Sequence, residues 1–245
     1  MTKVLINITS YREYELKYLK PVLDSYTGKD FKDFEVTVVL STAYDYKPVN
    51  CINLPQTYTG WEHTFNGNEF LKEHYQEHDL IISQDSDILV TPQNIQYYLK
   101  YQSLPVEYIG GFLVAEGKYL ISMKQPHFPF VTEKLVIEGK QWIVPHILHQ
   151  ASSISDRDRY GKYLQTASKG VLKASKGYSV GALARTEIYL SGGMKKVVSI
   201  DGIKDGSAII QHIPMKYING TPKFELWKFM TPEKVLKEYS HDFPR

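Results

Sequence analysis

Short apolar runs alternate with amphipathic stretches along the first 105 residues. Runs typical of buried strands lie at residues 4–8, 36–40 and 79–83. Between them, apolar side chains recur at helical spacing, as at Leu16 and Leu19. This alternation predicts an α/β fold with a mostly parallel central sheet flanked by helices.

Capping signals indicate where helices begin. Residues 10–13 and 59–62 match the capping box, in which a hydroxyl residue is followed three positions later by glutamate. We therefore expect helices to begin at Ser10 and near residue 59. Thr91 precedes Pro92, and Thr231 precedes Pro232, an order typical of helix N-termini.

The second half of the chain has a different pattern. Apolar runs flank Gly117 and Gly139, which predicts two added β-hairpins in the second half of the chain. Residues 150–177 are polar and predict a long loop or a loosely packed helix, and residues 208–210 predict a late strand. Because neither a repeat nor a linker is evident, residues 1–245 are predicted to form a single domain.

Composition excludes several classes of protein. The 245 residues are 42% hydrophobic and 23% charged with a net charge of +2, so a nucleic-acid partner is not expected. Cys51 is the only cysteine, which excludes an intrachain disulfide and favours a reducing, cytoplasmic location. The N-terminal apolar run is too short for a signal peptide, and no stretch is long enough for a transmembrane helix.

The most informative motif is Asp85-Ser86-Asp87, which follows the apolar run at residues 79–83. In open α/β sheets, ligands bind beyond the carboxyl ends of the strands. Two carboxylates at that position repel each other unless a cation or water separates them. Mg²⁺ and Mn²⁺ prefer oxygen ligands and often join carboxylates to substrate phosphates. The motif therefore predicts a site for a divalent cation and a diphosphate.

A second D-x-D triplet, Asp156-Arg157-Asp158, lies in the polar stretch with no predicted strand before it. Charged residues in such stretches are usually solvated. We interpret this triplet as a surface segment without a binding role.

The order of a strand, Thr9-Ser10-Tyr11-Arg12, a helix, a second strand and a third strand ending in Gln84-Asp85-Ser86-Asp87 resembles nucleotide-sugar glycosyltransferases of the GT-A fold. The resemblance covers residues 3–100 in order and spacing. It implies that Asp87 and Asp85 bind Mn²⁺ or Mg²⁺, and that Thr9, Ser10, Tyr11, Arg12, Gln84, Asp85 and Ser86 contact the nucleotide. Many members end the second strand with an acid that holds the base, whereas this chain has Ser41 and Thr42.

The resemblance is looser through about residue 220. His212 resembles the C-terminal histidine that completes the metal shell, and Asp201 and Asp205 lie about where the family has an acidic pair for general base catalysis. It implies a nucleotide-binding half at about residues 1–105 and an acceptor-binding half at about 106–245. The function expected is sugar transfer from a nucleoside-diphosphate sugar, UDP first, to a carbohydrate or other hydroxyl acceptor.

Three alternatives remain. His74-Tyr75-Gln76-Glu77-His78 matches the H-x-x-E-H pattern of inverted zinc peptidases, but it directly precedes a strand without apolar shielding. A sugar-1-phosphate nucleotidyltransferase needs a glycine-rich phosphate loop, and residues 9–12 contain no glycine. A non-catalytic carbohydrate-binding protein is compatible with the 19 tyrosines but does not explain acids at a strand end.

Overall fold

The computed structural model describes residues 1–10, 12–55, 63–121, 131–145, 152–166, 194–214 and 230–244. The chain divides into two compact units, each built from two separate stretches. The first unit comprises residues 1–88 and 150–194, and the second comprises residues 89–149 and 195–245. The predicted single domain with a boundary near residue 105 stays a prediction.

Helices and strands alternate in the first part of the chain, as expected for an α/β protein. The α-helices of the described residues are α1 Leu16–Thr27, α2 His63–His74, α3 Pro92–Lys100, α4 Arg157–Thr166, α5 Ile200–Lys204 and α6 Pro232–Tyr239. The strands are β1 Thr2–Ser10, β2 Phe34–Thr42, β3 Ile52–Asn53, β4 Leu80–Asp85, β5 Ile88–Leu89, β6 Tyr108–Gly110, β7 Leu113–Glu116, β8 Tyr119–Ile121, β9 Val131–Ile137, β10 Lys140–Pro145, β11 Ser152–Asp156, β12 Lys195–Ser199 and β13 Ile209–His212. None of the helices within these ranges is long and apolar enough to cross a membrane.

The first unit contains a five-stranded sheet in the order β11-β4-β1-β2-β3. Neighbours from β4 to β3 run parallel, whereas β11 is antiparallel to β4. Thr9 is in register with Asp85 on one side and with Ser41 on the other. The carboxyl ends of β1, β2 and β4 therefore meet at one edge of the sheet, here called the carboxyl edge.

Helices cover both faces of this sheet. Successive side chains of a strand point to opposite faces, so Asn7 and its register partner Ser83 share one face, and Gln84 lies on the other. Tyr26 of α1 donates a hydrogen bond to Gln84 (2.6 Å), which places α1 on the Gln84 face. Gly67 of α2 packs directly against the Asn7 side chain, which places α2 on the opposite face.

The predicted helix start at Ser10 is wrong. Strand β1 continues through Ser10, which is in register with Thr42 of β2. A 3₁₀ turn at Glu13–Glu15 precedes α1, and no side chain caps this turn. The long-range strand ladder therefore prevails over the local capping-box pattern.

Residues 152–166 also differ from the prediction of a loop or loose helix. Strand β11 pairs with β4 and is buried from Ser152 to Ser155, and α4 follows at once. The Asp156 carboxylate accepts a hydrogen bond from the Arg159 backbone amide (2.8 Å), as an N-cap residue does. The second D-x-D triplet therefore begins a helix and does not lie in a loop.

The second unit contains strands of both directions. One sheet has the order β6-β12-β10-β9, with β6 and β12 parallel and the other pairs antiparallel. In another, β7 is parallel to β13 and antiparallel to β8. Both predicted hairpins are confirmed. Glu138 and Gly139 connect β9 and β10 with φ of 52° and 72°, the positive values that a two-residue turn of this type requires.

Two predicted helix caps are confirmed in the second unit. The Thr91 hydroxyl accepts a hydrogen bond from the Asn94 backbone amide (3.3 Å), and the Asn94 side chain accepts one from the Thr91 backbone amide (2.8 Å). The Thr231 hydroxyl accepts one from the Lys234 backbone amide (3.3 Å). Overall, the chain is a mixed α/β protein whose sheets combine parallel and antiparallel pairs.

Candidate functional site

The carboxyl edge brings together residues that lie more than 70 positions apart in the sequence. Thr9 lies opposite Asp85 in the parallel ladder, and the Ser86 backbone amide donates a hydrogen bond to the Thr9 carbonyl (3.0 Å). This bond folds the turn after β4 against the end of β1. Thr9, Ser10, Asp85 and Ser86, all predicted site residues, therefore share this edge.

Three hydroxyl groups at this edge are buried without a protein partner. Thr9, Ser10 and Ser86 are each 0% exposed. Within the described part of the chain, their side-chain oxygens form no hydrogen bond. A buried polar group in that condition costs about 1–3 kcal/mol, and native proteins rarely tolerate several together unless a ligand or water completes them. Thr9 and Ser10 are successive residues of β1 and point to opposite faces of the sheet, so these hydroxyls lie at the same edge without converging on one point.

The two aspartates of the motif differ in exposure. Asp85 is partly exposed, whereas Asp87 is only 3% exposed. Burial penalises a charged carboxylate unless an opposite charge or hydrogen bonds compensate it. A divalent cation supplies such a charge, and the hydroxyl-lined edge offers the hard oxygen donors that Mg²⁺ and Mn²⁺ prefer. Asp85 and Asp87 thus supply carboxylate oxygens of the kind that Mg²⁺ and Mn²⁺ bind.

The described residues at this edge do not by themselves provide a full set of metal ligands. Among the residues that the structure describes, no group of three or more His, Cys, Asp or Glu side chains lies in a metal-binding cluster. Mg²⁺ is commonly held by one or two carboxylates, with water and substrate phosphates completing the shell. The carboxyl edge matches that pattern better than a structural metal site.

Gln84 has a structural role at the same edge. Its side chain is 0% exposed and bonded at both ends: the oxygen accepts from Tyr26 (2.6 Å), and the nitrogen donates to the Ile88 carbonyl (2.8 Å). The second bond spans the turn that carries Asp85 and Asp87. Gln84 therefore holds the turn, and its predicted contact with a nucleotide stays a prediction.

The segment after β1 is described in part. Tyr11 lies outside the described residues. Arg12 donates a side-chain hydrogen bond to Tyr14, and its guanidinium lies 5.6 Å from the centre of the Tyr14 ring. Arg12 is only partly exposed, and it places a positive charge three residues after Thr9 in the chain.

Asp201 and Asp205, the predicted catalytic acids, lie in the second unit around α5. Asp201 is exposed and forms an ion pair with Lys204 (3.2 Å). Asp205 is also exposed, and its carboxylate accepts a hydrogen bond from the Ser207 backbone amide (2.9 Å). These contacts shape a turn, and a catalytic role for either acid stays a prediction.

His212, the predicted metal ligand, lies in the second unit at the end of β13. Its Nδ1 atom is 2.6 Å from Oε1 of Glu116, and both side chains are at most 1% exposed. Glu116 is not evident as a site residue from the sequence, because an acid followed by glycine is typical of a hairpin turn. The only available signal was its position at the end of an apolar strand.

Comparisons with known proteins do not assign this chain to a family. No family model matches it. No curated protein matches it either. Among solved structures, it is similar to S. aureus TarS 1-349 with 15% identity and a TM-score of 0.48, and to a longer S. aureus TarS chain with 15% identity and a TM-score of 0.47. The matches cover 81% of this chain but only 58% and 35% of those chains. Similarity at this level assigns neither a family nor a function.

The histidines of the zinc-peptidase pattern do not converge. Helix α2 ends at His74, and a 3₁₀ turn follows before His78, so the two residues do not share one helical face. Nδ1 of His78 lies 3.0 Å from the His74 carbonyl, and Nε2 lies 3.4 Å from the Thr37 hydroxyl. Both ring nitrogens thus have protein partners, which argues against a zinc site here.

Proposed function

We propose that this protein is a metal-dependent glycosyltransferase that binds a nucleoside-diphosphate sugar at the carboxyl edge of the first unit. The observation that carries the proposal is the combination of Asp85 and Asp87 with three buried hydroxyls, at the end of parallel strands, that have no partner among the described residues. Diphosphates need both a cation and hydrogen-bond donors. The carboxylates at this edge can bind the cation, and the hydroxyls can donate the hydrogen bonds.

Each residue has a proposed task. Asp85 and Asp87 hold Mn²⁺ or Mg²⁺, and the hydroxyls of Thr9, Ser10 and Ser86 donate to ribose or phosphate oxygens. A bound divalent cation neutralises charge that develops on the departing diphosphate. Gln84 keeps the turn in place through its bonds to Tyr26 and Ile88, so the acids are positioned before the ligand arrives.

The acceptor side is proposed in coarser terms. A carbohydrate or another hydroxyl compound is the proposed acceptor, and the transfer requires a group that removes the hydroxyl proton. Asp201 and Asp205 are the residues proposed to act as the general base in that step. His212 is proposed as a further ligand of the cation, since imidazole nitrogen and carboxylate oxygen are both accepted by Mn²⁺.

A nucleotide panel tests the proposal. Calorimetric titration of UDP, GDP, TDP and CMP, each with Mn²⁺ and with EDTA, measures donor class and metal dependence together. We expect a nucleoside diphosphate, UDP first, to bind at least about tenfold more tightly with Mn²⁺, because the acids and phosphates repel each other without it. Equal affinity in EDTA and Mn²⁺ would rule out the metal-bridged site and leave a cation-independent transferase or a carbohydrate-binding protein.

A further inference from the structure

The two helices that cover the sheet of the first unit are packed unequally. Helix α1 buries four side chains, those of Leu19, Val22, Leu23 and Tyr26. Of the α2 side chains that the structure describes, at residues 66–74, Leu71 is the only large apolar one that is buried. Burial of apolar area is the main force that holds a helix on a sheet. The described part of α2 is therefore held less firmly than α1.

The sheet face beneath α2, here called the α2 face, becomes polar toward the carboxyl edge. Because side chains alternate along a strand, Leu5 and its register partner Ile81 lie on this face, and Asn7 and Ser83 follow two positions later. Asn7 is 0% and Ser83 2% exposed, and their side-chain nitrogen and oxygen atoms have no hydrogen-bond partner among the described residues. On the opposite face, in contrast, the buried Gln84 side chain is bonded at both ends. Helix α2 thus covers polar groups that would gain hydrogen bonds from water.

Helix α2 has a weakly helical sequence where it contacts these groups. Asn66, Gly67 and Asn68 are consecutive in it, and asparagine and glycine are poor helix formers. A Cβ atom at Gly67 would lie 2.1 Å from the Asn7 side-chain nitrogen, so the helix backbone lies directly against Asn7. The buried amide atoms of the Asn68 side chain also have no partner within the described ranges. Low helix propensity and unsatisfied polar groups therefore coincide at this contact.

The topology places this contact on the side of the carboxyl edge. Helix α2 precedes β4, which is parallel to β1, so α2 runs from the carboxyl edge toward the opposite edge of the sheet. Its first turns lie nearest to Thr9 and Asp85, which follow Asn7 and Ser83 on the α2 face. Leu71 lies in a later turn, toward the apolar part of this face. The end of α2 near the proposed site is thus the end without the buried leucine.

We propose that α2 is a movable cover, which opens locally from the sheet while the rest of the first unit stays folded and closes when a nucleotide binds at the carboxyl edge. Local openings occur where few apolar contacts hold a segment. Opening costs little here, because water then bonds the side chains of Asn7 and Ser83. A ligand that bonds Thr9 binds more tightly when α2 is closed, because the exclusion of water strengthens its hydrogen bonds. Only the closing on a nucleotide rests on the proposed function.

Native-state hydrogen exchange of the wild type, without nucleotide, tests the opening. We expect the amides of α2 to have protection factors at least about 10-fold lower than those of α1, since a local opening breaks fewer apolar contacts than global unfolding. Their exchange should also depend more weakly on urea, because a local opening exposes less surface. If the amides of both helices share one protection factor and one urea dependence, α2 opens only on global unfolding, and the proposal is overturned.

Thiol labelling measures the opening by a second route. In a Cys51→Ser background, which removes the only native cysteine, Asn7→Cys places a thiol against Gly67, and Val38→Cys places one on the face that α1 covers. Asn7 and Val38 are 0% and 6% exposed, so a closed structure predicts that the thiol at position 38 reacts at least as fast. With a movable cover, we expect the thiol at position 7 to react at least about 10-fold faster. The order of the closed structure overturns the proposal, and if Asn7→Cys does not fold, the wild-type exchange decides.

The same two measurements with UDP and Mn²⁺ test the closing. At saturating UDP, we expect exchange in α2 and labelling at position 7 to slow about 5-fold or more, because the ligand shifts the equilibrium toward the closed form. UDP binding that leaves both rates unchanged overturns the closing. Absence of UDP binding refutes the proposed function, whereas low protection of α2 in the free protein still supports the local opening.

Discussion

Two buried asparagines show how differently the two units use polar side chains. Asn94 in the second unit is 1% exposed and bonded at both ends of its amide: the oxygen accepts from the Thr91 backbone amide (2.8 Å), and the nitrogen donates to the carbonyls of Ser207 (2.8 Å) and Ile209 (2.9 Å). Asn7 in the first unit is 0% exposed, yet within the described residues neither amide atom has a hydrogen-bond partner.

The contrast extends beyond the asparagines. In the first unit, Ser83 is 2% exposed and its hydroxyl has no partner in the described ranges, and the same holds for the hydroxyls at the carboxyl edge. In the second unit, the Ser199 hydroxyl bonds Tyr101 (3.4 Å), and His212 contacts Glu116. Trp142, whose ring nitrogen has no partner in the described part of the second unit, is the exception. Several buried polar groups of the second unit thus bond to protein, whereas a set at the parallel strands of the first unit has no partner among the described residues.

The largest effect is expected at the acids of the first unit. Asp87→Ala is expected to abolish metal-dependent nucleotide binding, a loss of at least about 100-fold, because it removes the buried carboxylate that we propose as a cation ligand. Asp158→Ala is the matched control, since Asp158 belongs to the other D-x-D triplet and is exposed in the first turn of α4. Calorimetry with UDP and Mn²⁺ measures both. Equal losses of UDP affinity in the two variants would show that the D-x-D triplet after β4 has no specific role in binding.

The asparagines themselves provide the next test. Asn94→Ala removes the partner of one buried and one part-buried carbonyl and of the helix start, so we expect a loss of about 2–4 kcal/mol in the free energy of unfolding. Asn7→Leu replaces unpartnered polar atoms with apolar ones of similar size, and we expect a change of less than about 1 kcal/mol in either direction. Urea unfolding of each variant measures the difference. Comparable destabilisation by Asn94→Ala and Asn7→Leu would show that the two asparagines contribute equally to stability, which contradicts the contrast drawn between the units.

The sequence predicted features that depend on neighbouring residues. Thr91 and Thr231 cap their helices because the hydroxyl and the amide that it bonds lie three residues apart. The hairpin at Gly139 follows from two residues that tolerate positive φ. Strand β4, which ends at Asp85, was predictable because its apolar run lies within one short window of sequence.

Features that depend on distant partners could not be predicted. Strand β11 contains three serines and only one large apolar residue, Ile154, so its burial arises from pairing with β4 about 70 residues away. Ser10 resembles a helix cap, but the ladder with Thr42 keeps it in a strand. Glu116 and His212 are separated by 96 positions, and neither has a local pattern that indicates the other.

A double-mutant cycle tests whether Asn7 is held by packing alone. A Cβ atom at Gly67 would lie 2.1 Å from the Asn7 side-chain nitrogen, so Gly67→Ala is expected to destabilise the protein by about 1–3 kcal/mol through overpacking. In an Asn7→Ala background, the same substitution is expected to stabilise by up to about 1 kcal/mol, because alanine favours helix over glycine. Chemical unfolding of the four proteins gives the coupling energy. If Gly67→Ala changed the free energy of unfolding in the same direction in both backgrounds, α2 would not pack tightly against the Asn7 side chain.

The smallest effects are expected at the hydroxyls, where stability and binding should separate. Thr9→Val keeps the shape of the side chain and removes a hydroxyl that has no partner within the described residues. Its removal leaves no protein group unsatisfied, so the free energy of unfolding without nucleotide should change by less than about 1 kcal/mol. If this hydroxyl bonds the nucleotide, affinity for UDP with Mn²⁺ should fall about 2- to 10-fold, the value of one typical hydrogen bond. Ser199→Ala in the second unit is the matched control: it removes a hydroxyl that accepts from the Gly202 backbone amide (3.3 Å), so it should lower stability and leave nucleotide affinity unchanged. Thermal unfolding with and without UDP measures both quantities in one experiment. A Thr9→Val variant that loses stability but binds UDP normally would reverse the assignment of the two units, because the buried hydroxyls of the carboxyl edge would then support the fold and not the ligand.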